Sequence, residues 1–128
     1  MFLQNKKVAG ATTKQRGDAA EEAALAHLQA AGLALVARNY RTPGRGGGEI
    51  DLVMRDPRDG TLVFVEVRQR AGASHGGAAG SITATKRRRI VFAARHYLSR
   101  LRVWPPCRFD VVLVEGRIEW VRAAFDAD

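Results

Sequence analysis

The chain has 128 residues, 46% of them hydrophobic and 27% charged, with a formal charge of +8 at pH 7 and one cysteine. That length and apolar content suit one domain with a real core and argue against wholesale disorder. No stretch approaches the ~20 apolar residues of a membrane span, the first seventeen residues lack a signal-peptide core, and Cys107 alone excludes an internal disulfide, so a reducing, cytoplasmic setting is expected.

Residues 1–16 carry Lys6, Lys7, Lys14 and Arg16 without an acid and read as a flexible basic tail ahead of a single domain at 17–128. A first helix is expected from Asp18 as N-cap, with Glu21 three residues on as in a capping box. Ala20, Ala24, Leu28 and Ala31 recur at helical spacing, and Gly32 is a natural stop. "LALVARNY" (33–40) reads as a strand, and "RTPGRGGG" as a loop.

Strands are expected at about 49–55 and 62–69 around the turn signal "DPRDG". The Gly/Ala/Ser-rich stretch 70–81 is expected to be mobile. A second helix runs from about Thr83 to Leu101, with Ile90, Ala94, Tyr97, Leu98 and Leu101 on one face. "WPPC" closes it. "RFDVVLV" is a core strand, and Glu115-Gly116 turns into "RIEWV".

Charge is segregated along this order. Lys86, Arg87, Arg88, Arg89, Arg95, Arg100 and Arg102 follow one another without an acid among them. A small, very basic chain points to a polyanion, either nucleic acid or an anionic membrane surface, and the segregated run reads as a binding surface with Lys86–Arg89 contacting phosphates; a solvated helix face is the alternative reading.

The central hairpin places its acids together. With Arg55 opposite Leu62, Asp51 falls opposite Glu66, and partners in such a pair have Cβ atoms ~4.5–5.5 Å apart on one face. Alternation adds Glu49 and Arg68 to that face and puts Ile50 with Leu52 and Met54 on the other. Both faces are partly apolar, so helices should cover both sides of the sheet. Two adjacent carboxylates call for a cation. Mg²⁺ accepts one or two carboxylates and keeps waters, and can then polarise a phosphoryl oxygen. A salt-bridge cluster in which Arg68 pairs with Glu66 or Asp51 is the other outcome, and a one-residue slip in register would separate the acids.

His27, His75 and His96 share no ligand spacing, Cys107 lacks a histidine motif, and no GK[ST] closes either glycine run. The glycines at 44–48 and 72–80 suit flexibility or a close pass of a nucleic-acid strand. Trp104 and Trp120 are expected to pack rather than to stack on bases.

The order "GDAAEEAALAHL", "ARNYR", "GEIDLV", "FVEVR", "TATKRRRI" and "RFDVV" resembles the YraN family of bacterial proteins, grouped with the PD-(D/E)XK nucleases and close to Holliday-junction resolvases. The resemblance spans about residues 16–125. It implies an α/β, restriction-endonuclease-like core, a mixed central sheet flanked by helices, and hydrolysis of DNA phosphodiester bonds dependent on Mg²⁺ or Mn²⁺. By the resemblance, Asp51 and Glu66 are the metal-binding acids, Glu21 completes the site, and Arg68 stands where the superfamily has lysine. Arginine is bulkier and cannot act as a base, so the alternative is a nucleic-acid-binding protein that keeps the nuclease fold with weak or lost catalysis. Lys86 is the candidate to replace the missing amine. A homodimer follows only by analogy with resolvases that cut two symmetric strands.

Overall fold

A computed structural model of the chain describes residues 12–69 and 82–127. The first helix, α1 (Thr13–Ala30), begins earlier than the sequence suggests. Thr12, not Asp18, is the N-cap: its Oγ1 accepts the Gln15 N–H at 3.0 Å, and its own N–H donates to Gln15 Oε1 at 2.8 Å. This capping box satisfies two orphan donors, so residues 13–16 belong to the helix rather than to a tail. Asp18 instead pairs with Lys14 on the exposed face, and Glu21 is released from any capping role. Gly32, at φ 104°, ends the helix as expected.

Five strands follow as β1 (Ala34–Arg41), β2 (Glu49–Arg55), β3 (Leu62–Arg68), β4 (Cys107–Glu115) and β5 (Arg117–Phe125). The second helix, α2 (Ala84–Leu98), connects β3 to β4. The sheet order is β1-β2-β3-β4-β5. Among the described strands only β3 and β4 run parallel, which is why that connection needs a helical crossover. The result is a mixed α/β architecture. The helix α2 stops at Leu98 rather than Leu101, because Ser99 Oγ donates to the His96 carbonyl and tighter turns take Arg100 and Leu101.

Each face of the sheet has its own core. On the α1 side Ala24, Leu25 and Leu28 pack on Leu52, Met54, Val63, Val65 and Val112. On the α2 side Ile90, Ala94 and Leu98 pack on Val53, Phe64, Phe109 and Val111. Ile50 departs from the expected alternation. It lies in the α2-side cluster, while Leu52 lies in the other, so the pleat slips a step at Asp51.

The loop between β1 and β2 holds α2 in place. Thr42 is buried, its Oγ1 accepts the Gly48 N–H at 2.7 Å, and its N–H donates to the Gly48 carbonyl at 3.0 Å. A Cβ on Gly48 would lie 1.9 Å from the Arg89 carbonyl oxygen. That glycine serves the approach of α2 to the sheet. The stretch 70–81, with His75, lies outside the described residues.

Candidate functional site

The hairpin of β2 and β3 follows the expected register through four pairs, from Arg55–Leu62 to Leu52–Val65. Asp51 and Glu66 are not a fifth pair. There β2 leaves the ladder, and Asp51 Oδ2 accepts the Val67 N–H at 2.8 Å in place of a backbone carbonyl. The break is matched on the other neighbour: Asn39, between the β1 residues that pair with Leu52 and Ile50, has φ 50°, a left-handed conformation that asparagine tolerates better than most residues.

The two acids nevertheless meet. A side-chain hydrogen bond links the two carboxyls, and the Asp51 charge bears on Glu66. Glu66 is buried at 3% exposure. Burial first, and then the neighbouring Asp51 charge, push its carboxyl up to about 8. Burial also raises Asp51, opposed by the Val67 N–H and by Glu66. Neighbouring carboxyls in low dielectric cannot both ionise cheaply, so the pair holds a proton or a cation.

Two cations approach without closing on it. Lys86 Nζ, from the first turn of α2, lies 3.5 Å from Glu66 Oε2, and Arg68 Nη1 lies 3.8 Å from the same oxygen. Both distances exceed a strong charge-assisted hydrogen bond. Arg68 Nε is buried without a hydrogen-bond partner among the described residues. The salt-bridge cluster anticipated from Arg68 is therefore present but loose.

Glu21 reaches the same place from α1. With Asn39, Glu49, Asp51 and Val67 it lines a cleft of about 610 Å³. Its Oε1 accepts from Arg38 Nη2 at 2.9 Å, Arg38 Nε at 3.3 Å and Asn39 Nδ2 at 3.2 Å, while Arg38 Nη1 takes Glu22 at 2.7 Å. The charge of Glu21 also bears on Asp51. Arg38 and Asn39 are the site residues that sequence reasoning missed. The signal was an arginine in an otherwise apolar strand, followed by a residue prone to left-handed backbone. Glu49 sits at the cleft rim, 3.5 Å from Arg41.

The basic run of α2 divides. Lys86 and Arg89 border the glycine loop in a second cavity with Gly48 and Arg41, whereas Arg87 and Arg88 face the opposite side of the helix. Trp120 is fixed by its Nε1–H to Asp110 at 2.9 Å and by the Arg122 guanidinium over its ring at 4.0 Å. Trp104, against expectation, is 60% exposed. His27 sets its ring edge-on to Trp120, and His96 bonds the Tyr40 hydroxyl.

The donor set suits a hard divalent ion in one respect: two adjacent carboxyls, the number Mg²⁺ takes from protein, although Lys86 and Arg68 already supply two positive charges beside them. No group of three or more His, Cys, Asp or Glu side chains is arranged to hold a metal among the described residues. An ion would keep most of its coordination in water, with Glu21 held back by Arg38.

Fold and site thus define a mixed α/β domain with two helices packed on a five-stranded sheet and an acid-lined cleft whose Asp51 contacts the buried Glu66 where the sheet splays. Residues 20–114 match the model of the uncharacterised protein family UPF0102. A UPF0102 protein of Albidiferax ferrireducens is 70% identical over 128 residues, with 99% of each chain covered. Another, from Paracidovorax citrulli, is 66% identical at the same coverage. One from Verminephrobacter eiseniae is 70% identical over 91% of this chain and 81% of its own. The chain belongs to the UPF0102 family, the group that the sequence resembles under the name YraN. No helix among the described residues is long and apolar enough to cross a membrane.

Proposed function

We propose that the chain is a divalent-metal-dependent endonuclease of the PD-(D/E)XK kind, hydrolysing phosphodiester bonds in DNA, branched DNA included. The observation that carries this reading is the contact of Asp51 with the buried Glu66, whose carboxyl burial first, and then the Asp51 charge, push up to about 8. A fold tolerates such a pair at a cost, and sites with a task are where that cost is met. Mg²⁺ or Mn²⁺ held by Asp51 and Glu66 would polarise a phosphoryl oxygen.

The chain's own groups do the rest. Glu21, oriented by Arg38 and Asn39, presents its second oxygen to water in the cleft. Lys86 and Arg68, both within 4 Å of Glu66, supply positive charge where the phosphorane develops it. Lys86 takes the place of the superfamily lysine, from a helix rather than from β3. Arg89, which borders the second cavity with Lys86, tracks substrate phosphates next to the site, while Arg87 and Arg88, on the opposite side of the helix, are left to a more distant part of the nucleic acid. A homodimer would serve two symmetric cuts, and a cytoplasmic setting suits the lone cysteine.

A nicking assay on junction, flap and linear DNA with Mg²⁺ or Mn²⁺ tests the proposal. Cleavage lost in Asp51→Asn and Glu66→Gln is the expected result. A second reading, a nucleic-acid-binding module without efficient chemistry, draws on the bulky Arg68 beside Glu66. No cleavage by wild type, and none gained by Arg68→Lys, would favour it.

A further inference from the structure

The outer face of α2 carries a groove that the carboxylate site does not use. Arg88, Val91, Phe92 and Arg95 recur at helical spacing and, with Arg87 and the Phe125 end of β5, line a cavity of about 770 Å³. That volume accommodates a nucleotide-sized ligand. Phe92 is 53% exposed. It has no ring partner among the described residues, whereas Phe125 is stacked on Phe109 at 5.0 Å. No carboxylate pairs with Arg87, Arg88 or Arg95 among the described residues; Arg88 reaches only the Thr85 hydroxyl, at 3.2 Å. Among the described residues, Asp126 is the one acid on the rim.

An apolar ring flanked by three uncompensated guanidiniums fits few occupants. A second copy of the same face would bring arginines onto arginines. An apolar helix would leave them without countercharge. Unpaired nucleotides satisfy both requirements, since a base has a π-face for Phe92 and its phosphates meet the arginines. Duplex DNA offers the phosphates but keeps its bases stacked away from the ring.

We infer that this groove is a single-strand subsite: Phe92 stacks one unpaired base, and Arg87, Arg88 and Arg95 hold the flanking phosphates. The ligand class rests on the nucleic-acid reading above, but the groove is independent of the Asp51–Glu66 site. It gives the domain a grip on a flap or the unpaired arm of a branched substrate.

The test is fluorescence anisotropy with a labelled oligo-dT and a hairpin duplex of equal phosphate number, in EDTA so that the metal site is silent. Phe92→Ala should weaken oligo-dT binding about tenfold and duplex binding less than twofold. Phe92→Leu keeps apolar bulk at a half-exposed position and should lose nearly as much, because the π-face is gone. Arg88→Ala and Arg95→Ala should each flatten the salt slope for oligo-dT by about 0.7. Equal losses on both probes, unchanged oligo-dT affinity in Phe92→Leu, or poly-glutamate competing as well as unlabelled oligo-dT would overturn the assignment. Cleavage by wild type with Mg²⁺ reads the carboxylate site separately, so either reading can fail alone.

Discussion

Asp51 Oδ2 accepts the Val67 backbone N–H at 2.8 Å, one residue beyond the acid that Asp51 contacts with its charge. One carboxylate thereby replaces a missing rung of the sheet and brings its charge against Glu66. The splay of β2 from β3 and the chemistry of the cleft have a common cause.

Asp51→Ala should cost about 1 kcal/mol, because it orphans a partly buried N–H. Asp51→Asn keeps an oxygen for Val67 and should lose less. If the acids bind metal as proposed, Mn²⁺ should raise the melting temperature of wild type, and the same Asn variant should abolish that rise. Thermal melts with and without Mn²⁺ check both. Unchanged Mn²⁺ stabilisation in Asp51→Asn would remove this residue from any metal site.

The raised Glu66 carboxyl makes stability depend on pH. In the unfolded chain it titrates near 4.5, and in the fold near 8. Between these values the native state binds the extra proton, so this group's contribution to stability is full below about 4.5. It declines as pH rises toward 8 and above. Metal-free wild type should therefore lose stability from pH 5 to 9, and Glu66→Gln should flatten that loss, with a gain of roughly 1–2 kcal/mol at pH 9. Urea titrations across the range read it. A parallel fall in both proteins would contradict the assignment.

Gly48→Ala should destabilise by about 2 kcal/mol or more, since its Cβ would meet the Arg89 carbonyl at 1.9 Å. Backbone, not a flexible tip, is in the way, so α2 must move and take Lys86 from Glu66. A melting temperature unchanged from wild type would show that the loop and helix give way freely.

Arg38→Met should leave Glu21 with Asn39 alone and cost roughly 1–2 kcal/mol, less than a fully buried pair because Arg38 is partly exposed. Its effect on cleavage should exceed that of Glu22→Gln, which removes only the outer partner. Equal activities in the two variants would dissociate Arg38 from the cleft.

The parts legible in the sequence are those governed by local pattern. The element order, the turn at 56–60 and the four rungs from Arg55–Leu62 to Leu52–Val65 follow from alternation and turn chemistry. The pleat slip at Asp51 was not legible, because it depends on Asn39 adopting left-handed backbone in the adjacent strand. Nor was the helix start: Asp18/Glu21 and Thr12/Gln15 both carry a capping pattern, and three-dimensional burial of Glu21 against Arg38 decides between them. Lys86 came within reach of Glu66 only through the packing of α2 over Gly48, a contact between segments far apart in sequence.

The central claim is that two acids from the splayed hairpin share one divalent ion. Crystals soaked in Mn²⁺ and measured for anomalous scattering test it most directly. A single strong peak between the Asp51 and Glu66 carboxylates, with Lys86 beside it, is the expected result. An empty position, with the Arg68 guanidinium or the Lys86 ammonium drawn in between both carboxylates, would contradict it.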